Sequence, residues 1–387
     1  MKKINFLLGL TAAIALISSL DAVPAAYAET GVTDTEIILG VSNAQTGPSE
    51  ALGKGVTAGL KVYFDKINAA GGINGRKVTL NILDDKYEPA DAIANTTKLL
   101  TEDKVFALIG YVGTPTAKAI VPIAAREKAP LIAPFTGAGF LRSPVLPTVF
   151  NLRASYNDEM EAIVAQLADK KGFKKIALFM QNDSYGQAGE AGLKAALEKR
   201  TLTVAETGSY ERGTTDVTAA LDKLKAAAPD AIVMVGSYKA CAAFMKAAHA
   251  ADLKPVFVNI SFVGTSALIK ESGADGEGSF VSQVMPNPFS SDLQIVKDYQ
   301  ADMKAAGQDA AIDYTSLEGY VQAALFAKAA EKAGKDLTRD GLVGAFNALD
   351  ENIGGLALKF TPEDHQASDT VYLTKVSGGK PETVEGF

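Results

Sequence analysis

Two stretches decide the fold class: Glu36-Ile37-Ile38-Leu39-Gly40-Val41 and, after a helical interval, Val78-Thr79-Leu80-Asn81-Ile82-Leu83-Asp84-Asp85. Both are short β-branched runs that read as strands. Residues 56–68 between them read as an amphipathic helix closed by Gly71-Gly72, and a strand, crossover helix and second strand make a parallel pair. Pro89 then opens a helix to about residue 100, at a first-turn position where its missing N–H costs nothing. Strand 105–110, helix 116–128 and strand 130–133 follow, and residues 149–152 read as a crossover. The alternation restarts with helix 158–171 and strand 175–179. It continues through helix 186–199, strand 203–207, helix 214–225, strand 231–235, helix 239–251 and strand 256–258. After a strand at 278–284 come helices at 292–306, 315–334 and 338–348, then strands at 356–360 and 371–376 separated by a Pro-Glu-Asp turn. The class is α/β, with two doubly wound lobes.

The chain of 387 residues is too long for one ordinary core, which predicts two sizeable hydrophobic cores. Lys2 and Lys3, an apolar run over 4–20 and the small-x-small site Ala26-Tyr27-Ala28 have the order of a secretory leader. Residues 1–28 are therefore expected to be a signal peptide, with the mature chain beginning at Glu29 in the periplasm. Losing two lysines and one aspartate takes the formal charge from −7 to −8, and that acidity speaks against nucleic acid, which requires a basic surface. Cys241 is the only cysteine, so no internal disulfide is possible. His249, on a helix, and His365, in a loop, are the only histidines and stand in no metal-ligand spacing. No cofactor is expected.

Ligands of parallel α/β sheets sit outside the carboxyl ends of the strands, and those ends carry polar turns here. Thr114-Pro115-Thr116 follows a strand and opens a helix, so hydroxyls and free backbone N–H groups converge in the manner of an anion site. Phe135-Thr136-Gly137 follows the next strand in the same lobe and places a second hydroxyl beside the first.

With these strings in view, the chain resembles the leucine/isoleucine/valine-binding protein family and its type I periplasmic-binding fold. The specific pieces are Gln45-Thr46-Gly47-Pro48, the run Asn68-Ala69-Ala70-Gly71-Gly72-Ile73-Asn74-Gly75, Asp84-Asp85 with Pro89, Ile109-Gly110 and Asp183-Ser184-Tyr185-Gly186. The resemblance implies two lobes joined by three crossovers near Arg153, Val284 and Pro362. Lobe one would be 29–152 plus 285–362, and lobe two 153–284 plus 363–387. A hinge would close the cleft on a ligand, hinge closure of this kind in periplasmic receptors being a standard example. The resemblance also implies that Thr114 and Thr136 hold a ligand carboxylate with Phe135 and Gly137 alongside, and that Tyr185 and Tyr238 close from the second lobe.

The departures from the family matter as much. Ser261 stands where the family's amino-acid binders place the carboxylate that pairs with the ligand's ammonium. Either another acid, with Glu50, Asp183 and Glu318 as candidates, replaces it, or the ligand has no ammonium, since an unpaired buried charge is costly. Leu52 stands where the family commonly has an aromatic wall, and Phe262 is the residue placed to supply apolar surface instead. Tyr87 and Gly113 occupy the positions of the family's first-lobe disulfide.

An enzyme is the competing class. The sequence has no Gly-x-Ser-x-Gly elbow, no phosphate-binding loop and no Gly-x-Gly-x-x-Gly, since Gly137-Ala138-Gly139 lacks the third glycine. Asp84 and Asp85 are adjacent on a strand and point to opposite faces. The expectation is thus a non-enzymatic monomer that captures a small molecule, a branched-chain amino acid or a related amide or carboxylate, for the permease of an ABC transporter. The alternative is a sensor that reports the ligand to a separate membrane receptor.

Overall fold

The computed structural model describes residues 29–387, so the expected leader at 1–28 lies outside the described residues. Among the described residues, no helix is long and apolar enough to cross a membrane. The first sheet contains β1 (Glu36–Asn43), β2 (Lys77–Asp84), β3 (Ala107–Ile109), β4 (Leu131–Ile132) and β5 (Val149–Phe150), all parallel, in the order β2-β1-β3-β4-β5. The connecting helices are α1 (Glu50–Ala69), α2 (Pro89–Thr101) and α3 (Thr114–Arg126). Gly71 and Gly72, at φ of 107° and 76°, end the first helix by returning the Gly72 N–H to the Ile67 carbonyl, a left-handed stop that glycine takes without strain.

The chain then repeats itself. Helix α4 (Tyr156–Val164) leads into β6 (Ile176–Gln181), α5 (Ser184–Glu198), β7 (Thr207–Tyr210), α6 (Thr218–Ala227), β8 (Ala231–Val235), α7 (Tyr238–Ala250), β9 (Val256–Asn259), α8 (Thr265–Ser272) and β10 (Phe280–Gln283). These five strands are ordered β7-β6-β8-β9-β10, the same winding as the first sheet. Three helices follow, α9 (Gln294–Ala305), α10 (Tyr314–Ala333) and α11 (Arg339–Asn347). A hairpin of β11 (Asp350–Ile353) and β12 (Leu356–Lys359) comes next, then β13 (Tyr372–Ser377) and β14 (Lys380–Val384). The last two extend the second sheet antiparallel beyond β10.

Three differences from the sequence reading have physical causes. Residues 149–150 serve as the fifth strand of the first sheet, because Val149 and Phe150 are fully enclosed beside β4. The strand expected at 203–207 begins at Thr207, with Gly208 packed against Ala220 and Leu224 of α6. The strands expected on either side of the Pro-Glu-Asp turn belong to different sheets, one in the hairpin and one in the second sheet. Helix α8, β11 and β14 were not anticipated; α8 buries Leu268 as its one large apolar side chain and so shows little periodicity.

The expected pair of separate cores is also revised. One apolar cluster runs from β1, α1 and α10 through Phe135 and Phe262 into β6, β8 and α7. A smaller cluster, including Leu99, Val105, Leu108, Ile120 and Leu131, fills the α2–α3 face of the first sheet. The continuity arises because aromatic side chains from both sheets interleave at their facing ends.

Helix α10 is covered on nearly every face and crosses α1 at glycines. A Cβ at Gly59 would lie 1.9 Å from the Ser316 carbonyl oxygen, and one at Gly319 would lie 2.2 Å from the Val56 carbonyl oxygen. Backbone has nowhere to retreat at such a crossing. Gly59→Ala is therefore expected to destabilise the protein by roughly 1–3 kcal/mol through overpacking, read as a lowered urea midpoint; an unchanged midpoint would show that the two helices separate freely.

Candidate functional site

In a sheet wound 2-1-3-4-5 the switch point lies between the first and third strands, and the crevice outside their carboxyl ends is where ligands bind. Both sheets direct that end toward the other. From the first come the segments after β3 and β4. Gly113 donates its N–H to the Phe135 carbonyl at 3.2 Å, and Phe135 donates to the Tyr111 carbonyl at 2.8 Å. This pairing carries the two loops side by side past the sheet and sets the Thr114 and Thr136 hydroxyls 2.7 Å apart. Thr136 also donates to the Tyr156 hydroxyl at 3.2 Å and accepts from the Ala138 N–H at 3.2 Å. Thr114 is the first residue of α3, whose first-turn N–H groups have no acceptor inside the helix.

From the second sheet come Tyr185 at the start of α5, Tyr238 at the start of α7, and the turn Ser261–Val263 after β9. Phe262 is the meeting point. Its ring centroid lies 4.6 Å from Tyr185, 5.6 Å from Phe135 and 6.0 Å from Tyr87. Enclosing a phenylalanine side chain contributes about 1.5–3 kcal/mol, and here that contribution joins the two sheets.

Thr114, Phe135, Thr136, Tyr185, Ser261 and Phe262 are brought together in this buried zone. The Tyr238 hydroxyl is 3.5 Å from the Ala51 N–H, and a Cβ on Gly264, two residues after Phe262, would lie 2.5 Å from Leu52. Gly137 serves packing, since a Cβ there would lie 2.5 Å from the Tyr156 ring and its carbonyl accepts from the Tyr156 N–H. The two positions expected from the missing disulfide touch: a Cβ on Gly113 would lie 2.1 Å from the Tyr87 ring. Tyr87 reaches that place in a left-handed conformation, φ 67°, with its N–H held by the Asp85 carboxylate at 2.9 Å.

None of the three candidate acids bonds to Ser261, although Glu318 lines the same small cavity as Ser261. Glu50 is partly exposed and pairs with Lys54 at 2.8 Å. Asp183 caps α5 by accepting from the Tyr185 N–H and pairs with Arg212 at 3.4 Å. Glu318 is buried against Arg153 at 2.9 Å. The acid at Ser261 is Glu159, which sequence reasoning missed because Asp158-Glu159 reads as ordinary first-turn acids of a helix. The Glu159 carboxylate accepts from the Ser261 N–H at 2.8 Å, the Ser261 hydroxyl at 2.9 Å and the Ser282 hydroxyl at 2.5 Å. Burial pushes its pKa up, while Arg153 and these donors oppose the shift. With three donors in place, Glu159 is engaged in holding the Phe262 turn.

Arg153 lies 4.2 Å above the Phe135 ring and is itself fully buried. Burial pushes Glu318 up to about 6 against the pull of Arg153. His249 packs on α7 with Asp275 3.0 Å away, and His365 bonds to the Val149 carbonyl and stacks on Phe150. No group of His, Cys, Asp and Glu among the described residues is arranged to hold a metal.

The model of the periplasmic binding protein family matches residues 36–380, and the chain belongs to that family, in its leucine/isoleucine/valine-binding branch. Its architecture is the type I periplasmic-binding fold. A solved structure described as a possible leucine/isoleucine/valine-binding protein from Rhodopirellula baltica superposes with a TM-score of 0.86 at 33% identity, over 91% of this chain and 96% of that one. A leucine-, isoleucine-, valine-, threonine- and alanine-binding protein of Pseudomonas aeruginosa is 26% identical over 80% of this chain and 82% of its own length. The Leu/Ile/Val-binding protein homolog 3 of Brucella melitensis is 28% identical over 60% of this chain, and the match spans 61% of that protein, less than two thirds of its length.

Asp85 gives a pH test of the Tyr87 placement. Burial raises its pKa from 3.8 to about 7, against the Tyr87 N–H and Ser42 hydroxyl that favour the charged form. A carboxyl with a raised folded pKa contributes stability below its unfolded pKa that is lost as pH rises through the folded value. Relative to Asp85→Asn, the natural protein should lose on the order of 2–4 kcal/mol between pH 4 and pH 7, measured by urea unfolding at each pH. Parallel stability curves for the two proteins would contradict the burial of Asp85.

Proposed function

We propose that the protein is the solute-binding component of an ABC importer, a monomer that traps a small carboxylate between two lobes and delivers it to a membrane permease from the periplasm. The lobes are 29–152 plus 285–362 and 153–284 plus 363–387, turning about crossovers near Arg153, Val284 and Pro362. The observation that carries this reading is the 2.7 Å approach of the Thr114 and Thr136 hydroxyls at the start of α3, facing Tyr185 and Phe262 of the other sheet. Hydroxyls, first-turn N–H groups and the positive end of a helix favour a carboxylate. The ligand's apolar body then lies against Phe135, Tyr185 and Phe262, and release requires only that the sheets part.

The rim supports closure as well. Arg212, from the second lobe, pairs with Glu88 at the start of α2 at 2.8 Å. Both groups are partly exposed, so the pair contributes at most about 1 kcal/mol, enough to bias closure without locking it. The acid that an ammonium would need at Ser261 is already bonded to Ser261 and Ser282, which favours a carboxylate ligand without an ammonium there.

A thermal-shift panel of leucine, butanoate, pentanoate, hexanoate and benzoate identifies the class, because a ligand bound only by the folded form raises Tm by mass action. At least one non-amino carboxylate should stabilise the protein. By calorimetry, Thr114→Ala with Thr136→Ala should weaken that ligand about tenfold or more, as lost hydrogen bonds to a charged group predict. Unchanged affinity in the double variant would remove the anion site, and turnover of any probe would overturn the receptor reading.

A further inference from the structure

Behind the loop that carries Thr136 lies Arg142. It follows the short turn Gly139–Leu141, and its guanidinium folds back under the loop it has just left. Nη1 donates to the Ala138 carbonyl at 3.0 Å, and Nη2 donates to the Thr136 carbonyl at 3.3 Å and the Arg153 carbonyl at 2.9 Å. Nε donates to the side-chain oxygen of Gln366. All four acceptors are neutral, so the whole fork of a charged side chain is engaged by backbone and amide oxygens. The side chain is partly buried. Burial and the nearby Arg153 charge push its pKa down to about 10, which leaves it charged at neutral pH.

Those bonds decide which way the loop faces. Arg142 takes the carbonyls of Thr136 and Ala138, and the Tyr156 N–H donates to the Gly137 carbonyl at 2.7 Å, so three successive carbonyls are occupied. The peptide joining Thr136 to Gly137 is trans, and a trans peptide points its N–H opposite to its carbonyl. With the Thr136 carbonyl turned to Arg142, the Gly137 N–H is directed away from it. Thr136 donates its own N–H to the Pro134 carbonyl at 2.7 Å, and Ala138 donates to the Thr136 hydroxyl at 3.2 Å. The Gly137 N–H has no acceptor among the described residues. A cation at the carbonyl end polarises the peptide and makes the N–H at its other end a stronger donor. The guanidinium also anchors the loop from outside. Arg153 leads into α4, and Gln366 lies beside the same segment: Asn151 donates to the His365 carbonyl and Ala367 to the Asn151 carbonyl, both at 2.8 Å. The Gln366 amide donates in turn to Asp158 of α4 at 3.0 Å.

We propose that Arg142 is the positioning residue of the carboxylate site: its fork holds the loop at 136–138 so that the Thr136 hydroxyl and the Gly137 N–H meet the ligand's carboxylate together, and it ties that loop to the segments at Arg153 and Gln366. Arg142 does not touch the ligand. The inference rests on the carboxylate reading above and adds to it the group that sets the geometry there. The acceptors belong to three separate stretches of chain. A rigid planar fork spans them, whereas the ammonium of a lysine, a point charge on a flexible stem, does not. A binding constellation keeps its affinity only while supporting bonds hold it to within about 0.5 Å. Loss of the fork therefore weakens the carboxylate although both threonines remain.

The test is calorimetric titration of the purified protein with butanoate, pentanoate, hexanoate and benzoate, repeated on Arg142→Lys and Arg142→Ala. The acid that the natural protein binds best should bind each variant about tenfold or more weakly, with the near-ultraviolet circular dichroism unchanged. Methylguanidinium at millimolar concentration, which returns the fork without the covalent link, should recover part of that affinity in Arg142→Ala. It should change nothing in the natural protein or in the double variant Thr114→Ala with Thr136→Ala. Arg142→Lys keeps the charge and most of the stem, and so decides the outcome if Arg142→Ala does not fold. An affinity in Arg142→Lys within about twofold of the natural protein overturns the positioning role. So does a folded Arg142→Ala that has lost affinity and regains none with methylguanidinium. In either case binding by the natural protein, weakened in the threonine double variant, leaves the carboxylate site standing. Binding of none of the four acids by the natural protein overturns the carboxylate reading and the role of Arg142 with it.

Discussion

The Glu159 carboxylate beneath the turn at Ser261 is the constraint from which the rest of the cleft follows. A buried carboxylate is tolerated only when its oxygens are occupied, and three donors from Ser261 and Ser282 occupy them. That requirement ties the start of α4 to the ends of β9 and β10 and fixes the direction in which Phe262 leaves the second sheet. Phe262 then meets Tyr87, Phe135 and Tyr185, and the two sheets share one apolar interior at the place where their strand ends face each other. The same carboxylate cannot also serve as a free counter-charge, which links the packing of the cleft to the kind of ligand it takes.

Arg153 occupies the complementary position. It lies at a crossover between the sheets, rests on Phe135 of one, pairs with Glu318 of α10 and feels Glu159 of α4. A charge shared among three elements ties the two sheets together at this crossover. Other contacts between the two halves include an ion pair of Arg212 with Glu88, a hydrogen bond from Ser266 to Asp313 at 2.7 Å and the Tyr238 hydroxyl beside Ala51.

The α/β class, the alternation of strands and helices along the chain and the loops after β3, β4, β6 and β8 were legible in the sequence, because strand and helix periods alternate cleanly and the strand ends carry hydroxyls and tyrosines. The approach of Thr114 to Thr136 follows from two adjacent parallel strands ending in similar turns, a local consequence of order. What the sequence concealed is non-local. Glu159 looked like a helix first-turn acid, and only the arrival of Ser261 and Ser282, more than one hundred residues on, gives it another role. Helix α8 and strand β14 were hidden because each has one or no large buried side chain to announce a period. The contact of Tyr87 with Gly113 required a left-handed backbone that Asp85 enforces, which no pattern of hydrophobicity reveals.

Closure of two lobes on a guest is most directly measured as a distance. Cys241 is fully buried, so cysteines introduced at Lys118 on α3 and Lys223 on α6, both exposed, accept spin labels selectively. Double electron–electron resonance on this doubly labelled protein should show a broad distribution without ligand. It should narrow to the single separation of the closed structure when the best carboxylate of the thermal panel saturates it. A distribution that does not change while calorimetry shows the same carboxylate bound would contradict capture between moving lobes.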